Sequence, residues 1–205
     1  MLLRCIAIAA AGAAFWSVTI LATACDGGEG QPGPEPDAGQ QGTPIAATPV
    51  PRSTVDPNVP LVEYHSPDKG YTVSYPEGWK IDAPPGGAID TFIWTEDGMH
   101  LAQLAVTRNA DAVTPDELMR LDVSIVTRYG GRIDPAQTRE MQVGGTTGKL
   151  IMYSVNAGGL PIEQAVVYAS HGDYGWRLGL STYGAGSLPG YLSVFQRIIA
   201  SFQPG

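Results

Sequence analysis

His65-Ser66-Pro67-Asp68-Lys69-Gly70-Tyr71-Thr72-Val73-Ser74-Tyr75-Pro76-Glu77-Gly78-Trp79 is the stretch on which the reading of the fold turns. Tyr71, Val73 and Tyr75 alternate with Thr72 and Ser74, the period-two pattern of a half-buried strand. Pro67-Asp68-Lys69-Gly70 is turn chemistry, with Pro setting one backbone angle and Gly accepting a left-handed one. The turn joins this strand to an earlier one over residues 62–65, and Pro76-Glu77-Gly78 stops it. The region therefore opens on an antiparallel hairpin.

Working outward, residues 92–95 and 101–108 are two more apolar runs, separated by the hairpin signal Glu96-Asp97-Gly98. Thr114-Pro115-Asp116-Glu117 then combines an N-cap, a proline at the first helical position and a capping-box glutamate. Leu118, Leu121 and Ile125 follow at helical spacing, with Tyr129 one turn on, and Gly130-Gly131 closes the helix. Four strands are predicted next, over 138–143, 150–156, 162–170 and 176–183. Their connections are short and glycine-rich, so antiparallel neighbours are expected. Ser187 is placed to cap a last helix with an apolar face of Leu188, Tyr191, Leu192, Phe195, Ile198, Ile199 and Phe202. Strands, helix, meander, helix make an α+β fold: a mainly antiparallel sheet of about six to eight strands with two principal helices.

The motif from His65 to Trp79 resembles the opening of PsbP-like domains and related bacterial lipoproteins, whose hairpin reads GY-x-V-x-YP-x-GW. The closing stretch 195–202 is similar to their F-x-x-I-x-x-SF ending. The resemblance covers nearly all of 61–205 in element order. It implies an α-β-α sandwich that serves as a binding or assembly module, and it brings no catalytic constellation with it.

Before this domain the chain changes character twice. Residues 1–24 read as an export signal: Arg4, an uncharged apolar run from Cys5 to Leu21, then Ala22-Thr23-Ala24 before Cys25. Small residues directly before a cysteine resemble the bacterial lipobox, which implies cleavage and lipid on Cys25. An uncleaved anchor and a plain secreted protein are the competing readings, since about 20 apolar residues suffice to cross a bilayer. Residues 25–60 are read as the lipidated cysteine and its tether: of residues 26–60, fourteen are Gly or Pro and none is aromatic. Such a composition buries too little apolar surface to offset the entropy of ordering. The globular domain is expected over 61–205. The location expected is the outer face of a cell membrane, held through lipid on Cys25.

Charge excludes one partner class. The 205-residue chain carries a net −8, and residues 61–205 hold fifteen acids against ten bases. Nucleic-acid binding needs clustered Lys and Arg, so it is not expected. With Cys5 in the signal, Cys25 has no cysteine to pair with in the mature chain.

No catalytic set emerges. Gly144-Gly145-Thr146-Thr147-Gly148-Lys149 is too short for a phosphate loop and has Leu150 where a hydroxyl should follow, so it reads as a hairpin turn. His65, His100 and His171 are widely spaced, with no metal-ligand pairing. No Gly-x-Ser-x-Gly elbow occurs. Neither cofactor nor metal is expected. The residual signal is aromatic: Trp79, Trp94, Trp176 and Tyr183 are the candidates for lining a ligand cleft, set against the plainer expectation that they pack the core. The function expected is a non-enzymatic binding or assembly lipoprotein, whose partner is an envelope protein. The alternative is a carrier of a small lipid, glycan or other apolar ligand in an aromatic-lined cleft.

Overall fold

The hairpin that opens the domain is present in the computed structural model, which describes residues 55–110 and 114–205. Its strands are β1 (Leu61–Ser66) and β2 (Tyr71–Pro76), paired from Leu61↔Pro76 to Ser66↔Tyr71. β3 (Lys80–Asp82), β4 (Ile89–Glu96) and β5 (Met99–Asn109) follow, then α1 (Pro115–Arg128). After α1 come β6 (Arg132–Ile133), β7 (Arg139–Val143), β8 (Thr146–Ala157), β9 (Leu160–His171) and β10 (Tyr174–Tyr183). A 3-10 turn over Leu188–Tyr191 leads into α2 (Leu192–Ser201), and β11 (Gln203–Pro204) ends the chain.

An eight-stranded sheet runs in the order β3-β4-β5-β10-β9-β8-β6, with β7 also pairing β8. All its pairings are antiparallel. A smaller sheet, β1-β2-β11, stands apart from it. The fold is therefore the expected α+β, with an antiparallel sheet of eight strands and two α-helices. The short strands β3, β6 and β11 have no sequence signal of their own; each exists because a longer neighbour offers a free backbone edge.

One face of the large sheet meets α2 and the small sheet. Phe92, Leu104, Trp176, Leu178 and Leu180 are there, packed against Tyr71, Val73, Phe195, Ile198 and Phe202. The other face meets α1, where Leu118 and Val126 pack on Ile151, Tyr153, Val166 and Tyr168. The alternation along β4 and β5 is strict until the Trp94/Thr95 register shift. Leu101 is the extra residue there, which explains why it and Ala102 are both buried although adjacent.

Local signals formed what they encode. Asp97 (φ 50°) and Gly98 (φ 77°) make the two-residue left-handed turn of the β4–β5 hairpin. Both arms of the Thr114 capping box close, with Glu117 N–H donating to Thr114 Oγ1 at 3.4 Å and Thr114 N–H to Glu117 Oε2 at 3.0 Å. The Thr114 backbone N–H and hydroxyl hold the Glu117 carboxyl below its ordinary pKa. Gly144 and Gly145 form the β7–β8 turn, as the hairpin reading required.

Two expectations need correction. The buried face of α1 is not the row Leu118, Leu121, Ile125 and Tyr129. Leu118 and Val126 are buried, whereas Leu121 and Tyr129 are 58% and 68% exposed. The sheet lies under the flank on which Asp122 sits. Nor does Ser187 cap a helix: its hydroxyl donates to Gly184 O at 2.7 Å and is hydrogen-bonded with the Thr182 hydroxyl at 2.9 Å. The capping acceptor is Glu163 of β9, whose carboxylate takes Gly186 N–H at 2.7 Å and Leu188 N–H at 2.9 Å. α2 begins later than expected because the 3-10 turn precedes it.

Leu61 marks the start of strand pairing, and the packed chain reaches back further. Val55 and Val59 lie against the core. Arg197 of α2 donates from Nη1 to Pro57 O at 2.7 Å and Val59 O at 2.9 Å. At the other end, Gly205 N–H donates to Gly70 O at 2.7 Å, tying the last residue to the β1–β2 turn.

Candidate functional site

Cys25, the residue with the most specific sequence-derived role, lies outside the described residues. The aromatic candidates do not share a cleft. Trp79 and Trp176 are buried in the core beneath α2. Trp176 packs edge-on against Tyr71 at 5.5 Å and Phe202 at 5.2 Å. Trp94 leans on the rim of the same core. Tyr183 sits half-buried on the opposite face of the sheet, where its hydroxyl donates to Gln103 Oε1 at 3.3 Å.

Two shallow clefts of about 230 and 330 Å³ open on the surface, and none of those four residues lines either. The smaller lies beside the β1–β2 turn, between Asp68, Lys69, Gly86 and Arg108. Arg108 is held there by Lys69 O at 2.7 Å and by the Tyr174 ring at 4.5 Å. The larger lies at the β6 edge, with Arg132, Gln137 and Glu163 around an apolar floor of Met152, Leu188 and Leu192.

Two polar networks were not foreseen. Beneath the β1–β2 turn, the Asp90 carboxylate accepts from Ser66 Oγ at 2.8 Å, Lys69 Nζ at 2.6 Å and Tyr71 Oη at 2.6 Å. Lys69 and Asp90 are 5% and 1% exposed, so this is a buried ion pair with its remaining lone pairs satisfied. It fastens the turn of the small sheet onto β4 of the large one.

The second network lies under α1. Asp122 Oδ2 accepts from Tyr168 Oη at 2.6 Å and from Arg177 Nε at 2.7 Å. Arg177 Nη2 donates to Tyr153 Oη at 3.3 Å, and Tyr153 Oη donates to Gln164 Oε1. Burial works against the Arg177 charge, and the Asp122 carboxylate more than offsets it, so the guanidinium pKa is raised. Burial pushes the Tyr153 hydroxyl up to about 12 and Tyr168 well above its ordinary value. These tyrosines stay protonated at physiological pH, and their hydroxyls donate to Gln164 and Asp122. Gly179 makes it possible: a Cβ there would stand 2.8 Å from Arg177 Nη1, in space the guanidinium occupies.

His65 pairs on the surface with Glu63 at 2.8 Å, and His100 and His171 are exposed. Among the described residues no three His, Cys, Asp or Glu converge. No described helix is long and apolar enough to cross a membrane.

No protein-family model matches the chain, and no curated protein sequence does. Its fold is similar to solved structures. One is the cyanobacterial PsbP of Synechocystis, at 16% identity and a TM-score of 0.53, covering 71% of this chain and 92% of that one. Another is the Ran-binding protein Mog1p of Saccharomyces cerevisiae, at 12% identity and a TM-score of 0.51, covering 71% and 96%. A Bacteroides thetaiotaomicron protein aligns at 11% identity and a TM-score of 0.49; the match covers 70% of this chain and 48% of that one, about half its length. At these identities the likeness is one of fold, and it makes the expected PsbP-like layer order a finding.

Proposed function

We propose that this chain is a non-enzymatic binding or assembly module, tethered to the outer face of a membrane by lipid on Cys25. The observation that carries the reading is the use of the aromatic residues. Trp79, Trp176, Tyr71 and Phe202 are packed into the interior, and none of them lines either of the two clefts described above. A domain whose interior is filled recognises with its outer faces. The Ran-binding protein Mog1p has a similar fold, which supports a binding role here. The Gly- and Pro-rich composition of residues 26–60 supports a tether role for that segment.

The test is fractionation of cells expressing the full chain with labelled palmitate. Wild type is expected in the membrane fraction and labelled; Cys25→Ser is expected to lose both, because one or more buried acyl chains are the anchor. A Cys25→Ser chain that stays labelled and membrane-bound refutes the anchor. Turnover of a hydrolase substrate panel by the purified protein, abolished by a single substitution, refutes the non-enzymatic half.

A further inference from the structure

β1 is the outer strand of the small sheet, and β2 bonds one of its edges only. Which residues face outward follows from the register. Glu77 N–H donates to Pro60 O at 2.9 Å, so Val62, Tyr64 and Ser66 turn their backbone groups toward β2. On the far side of β2, Ser74 N–H donates to Ser201 Oγ at 2.8 Å, which fits the same phase. The N–H and C=O of Leu61, Glu63 and His65 therefore point away from the sheet. They have no hydrogen-bond partner among the described residues.

Sheet edges are ordinarily blunted by shortness, proline, lysine or a bulge. At the two ends of the large sheet, β3 has three residues and β6 two. β1 runs six residues in unbroken register, with neither proline nor lysine. Its outer face carries Glu63 and His65, whose side chains are 62% and 71% exposed and meet at 2.8 Å. The His65 ring is also bonded to Thr72 Oγ1 at 2.9 Å, so both groups are held in place. β2 and β11 add Thr72, Ser74 and Gln203 to that face, all uncharged. Asp68 and Glu77 lie beyond the two ends of the hairpin. On the opposite face Val62 is 40% exposed.

We infer that β1 pairs with β1 of a second copy of this chain, antiparallel about a two-fold axis. Outward groups must meet outward groups, so Leu61, Glu63 and His65 oppose only one another. Centred on Glu63, the pairing sets two like charges opposite each other. Centred on Val62, it pairs Leu61 with Glu63 and leaves His65 outside. Centred on Tyr64, it sets Glu63 opposite His65 of the second copy, twice, and these residues exchange their backbone bonds. Charge selects the Tyr64-centred register, which also places the exposed Val62 opposite Ser66 of the second copy. β7, a five-residue edge, offers no such match. Opposed residues in a two-fold antiparallel pair share parity, so Arg139 never faces Glu140. One short edge buries little surface, so the pair is reversible and of modest affinity. It stands whether or not Cys25 carries lipid.

Sedimentation equilibrium of the full chain in detergent, over a concentration series, reads the pairing. Wild type is expected to move from the mass of one chain toward that of two. His65→Glu sets acid against acid at both pairs. It is expected to weaken association about tenfold or more, with little change in melting temperature because the position is exposed. Glu63→Lys/His65→Glu restores opposite charges in the Tyr64-centred register alone and is expected to return association to the wild-type level. Glu63→Pro removes an outward N–H that β2 does not use, so the fold is expected to persist and the pair to be lost. A wild-type chain that stays monomeric throughout overturns the inference. So does association indifferent to His65→Glu or to Glu63→Pro, or a swapped variant that remains as weak as His65→Glu.

Discussion

Lys69→Met removes the cation from the buried pair and leaves the Asp90 carboxylate, 1% exposed, with only the Ser66 and Tyr71 hydroxyls as donors. The methionine fills the same channel, so the loss is electrostatic more than steric. Stranding a buried charge by removing its partner costs about 3–5 kcal/mol. For a domain of this size that is roughly 6–20 °C in melting temperature. With a urea slope near 2 kcal/mol/M, it is a midpoint shift of roughly 2 M. Urea denaturation at pH 7, followed by tryptophan fluorescence, measures it directly. The sharper arm is the double variant Lys69→Met/Asp90→Asn. It carries no stranded charge, so it should be more stable than Lys69→Met alone although it lacks one more native group. A loss below about 1 kcal/mol for Lys69→Met, the range of exposed pairs, refutes the reasoning. So does a double variant weaker than the single one.

Alkaline pH tests the second network. The Tyr153 hydroxyl is raised by burial to about 12, against about 10 unfolded. Between those values the folded chain holds the proton and the unfolded chain does not, so stability falls as pH rises from 10 through 12 and is fully present below 10. That contribution is on the order of 2 kcal/mol; Tyr153→Phe should flatten this part of the urea-midpoint profile, and an unchanged slope counts against it. Gly131→Ala tests the exit from α1: its Cβ would stand 2.5 Å from Val126 Cγ1 and 2.7 Å from Val155 Cγ1. A loss of about 1–3 kcal/mol is expected by thermal melting, and an unchanged melting temperature contradicts the packing described.

Much of the fold was written in short-range signals. Thr114 and Glu117 encode the start of α1 within one turn, and Asp97-Gly98 encodes a hairpin in two residues. Such features need nothing distant to be true. The side of α1 that meets the sheet was not legible in the same way. Leu118, Leu121 and Ile125 make as good a helical row as Leu118, Asp122 and Val126. The choice falls to the second row because Asp122 finds Arg177, 55 residues away. Lys69 reads as an ordinary turn residue until Asp90, 21 residues on, lies beneath it. Glu163 could not be seen as a helix cap from β9, since the N–H groups it serves follow some 23 residues later. The aromatic positions were legible as core, because Tyr71, Val73 and Trp176 alternate with polar neighbours on known strands. What the sequence says of Cys25 is chemical and local, carried by the small residues directly before it.

The pair of hydrogen bonds from Arg197 to Pro57 and Val59 has a mechanical consequence. β1 is an edge strand, paired among the described residues with β2 alone. An edge strand pulled from its end unzips one rung at a time. Tension arriving along the chain before Val55 meets Arg197 first, and through it α2, whose Val194, Phe195, Ile198 and Ile199 are sunk in the core. Both of those hydrogen bonds must break before the load reaches the first rung of β1. A pull on the residues before Val55 is therefore met at Pro57 and Val59, ahead of the sheet.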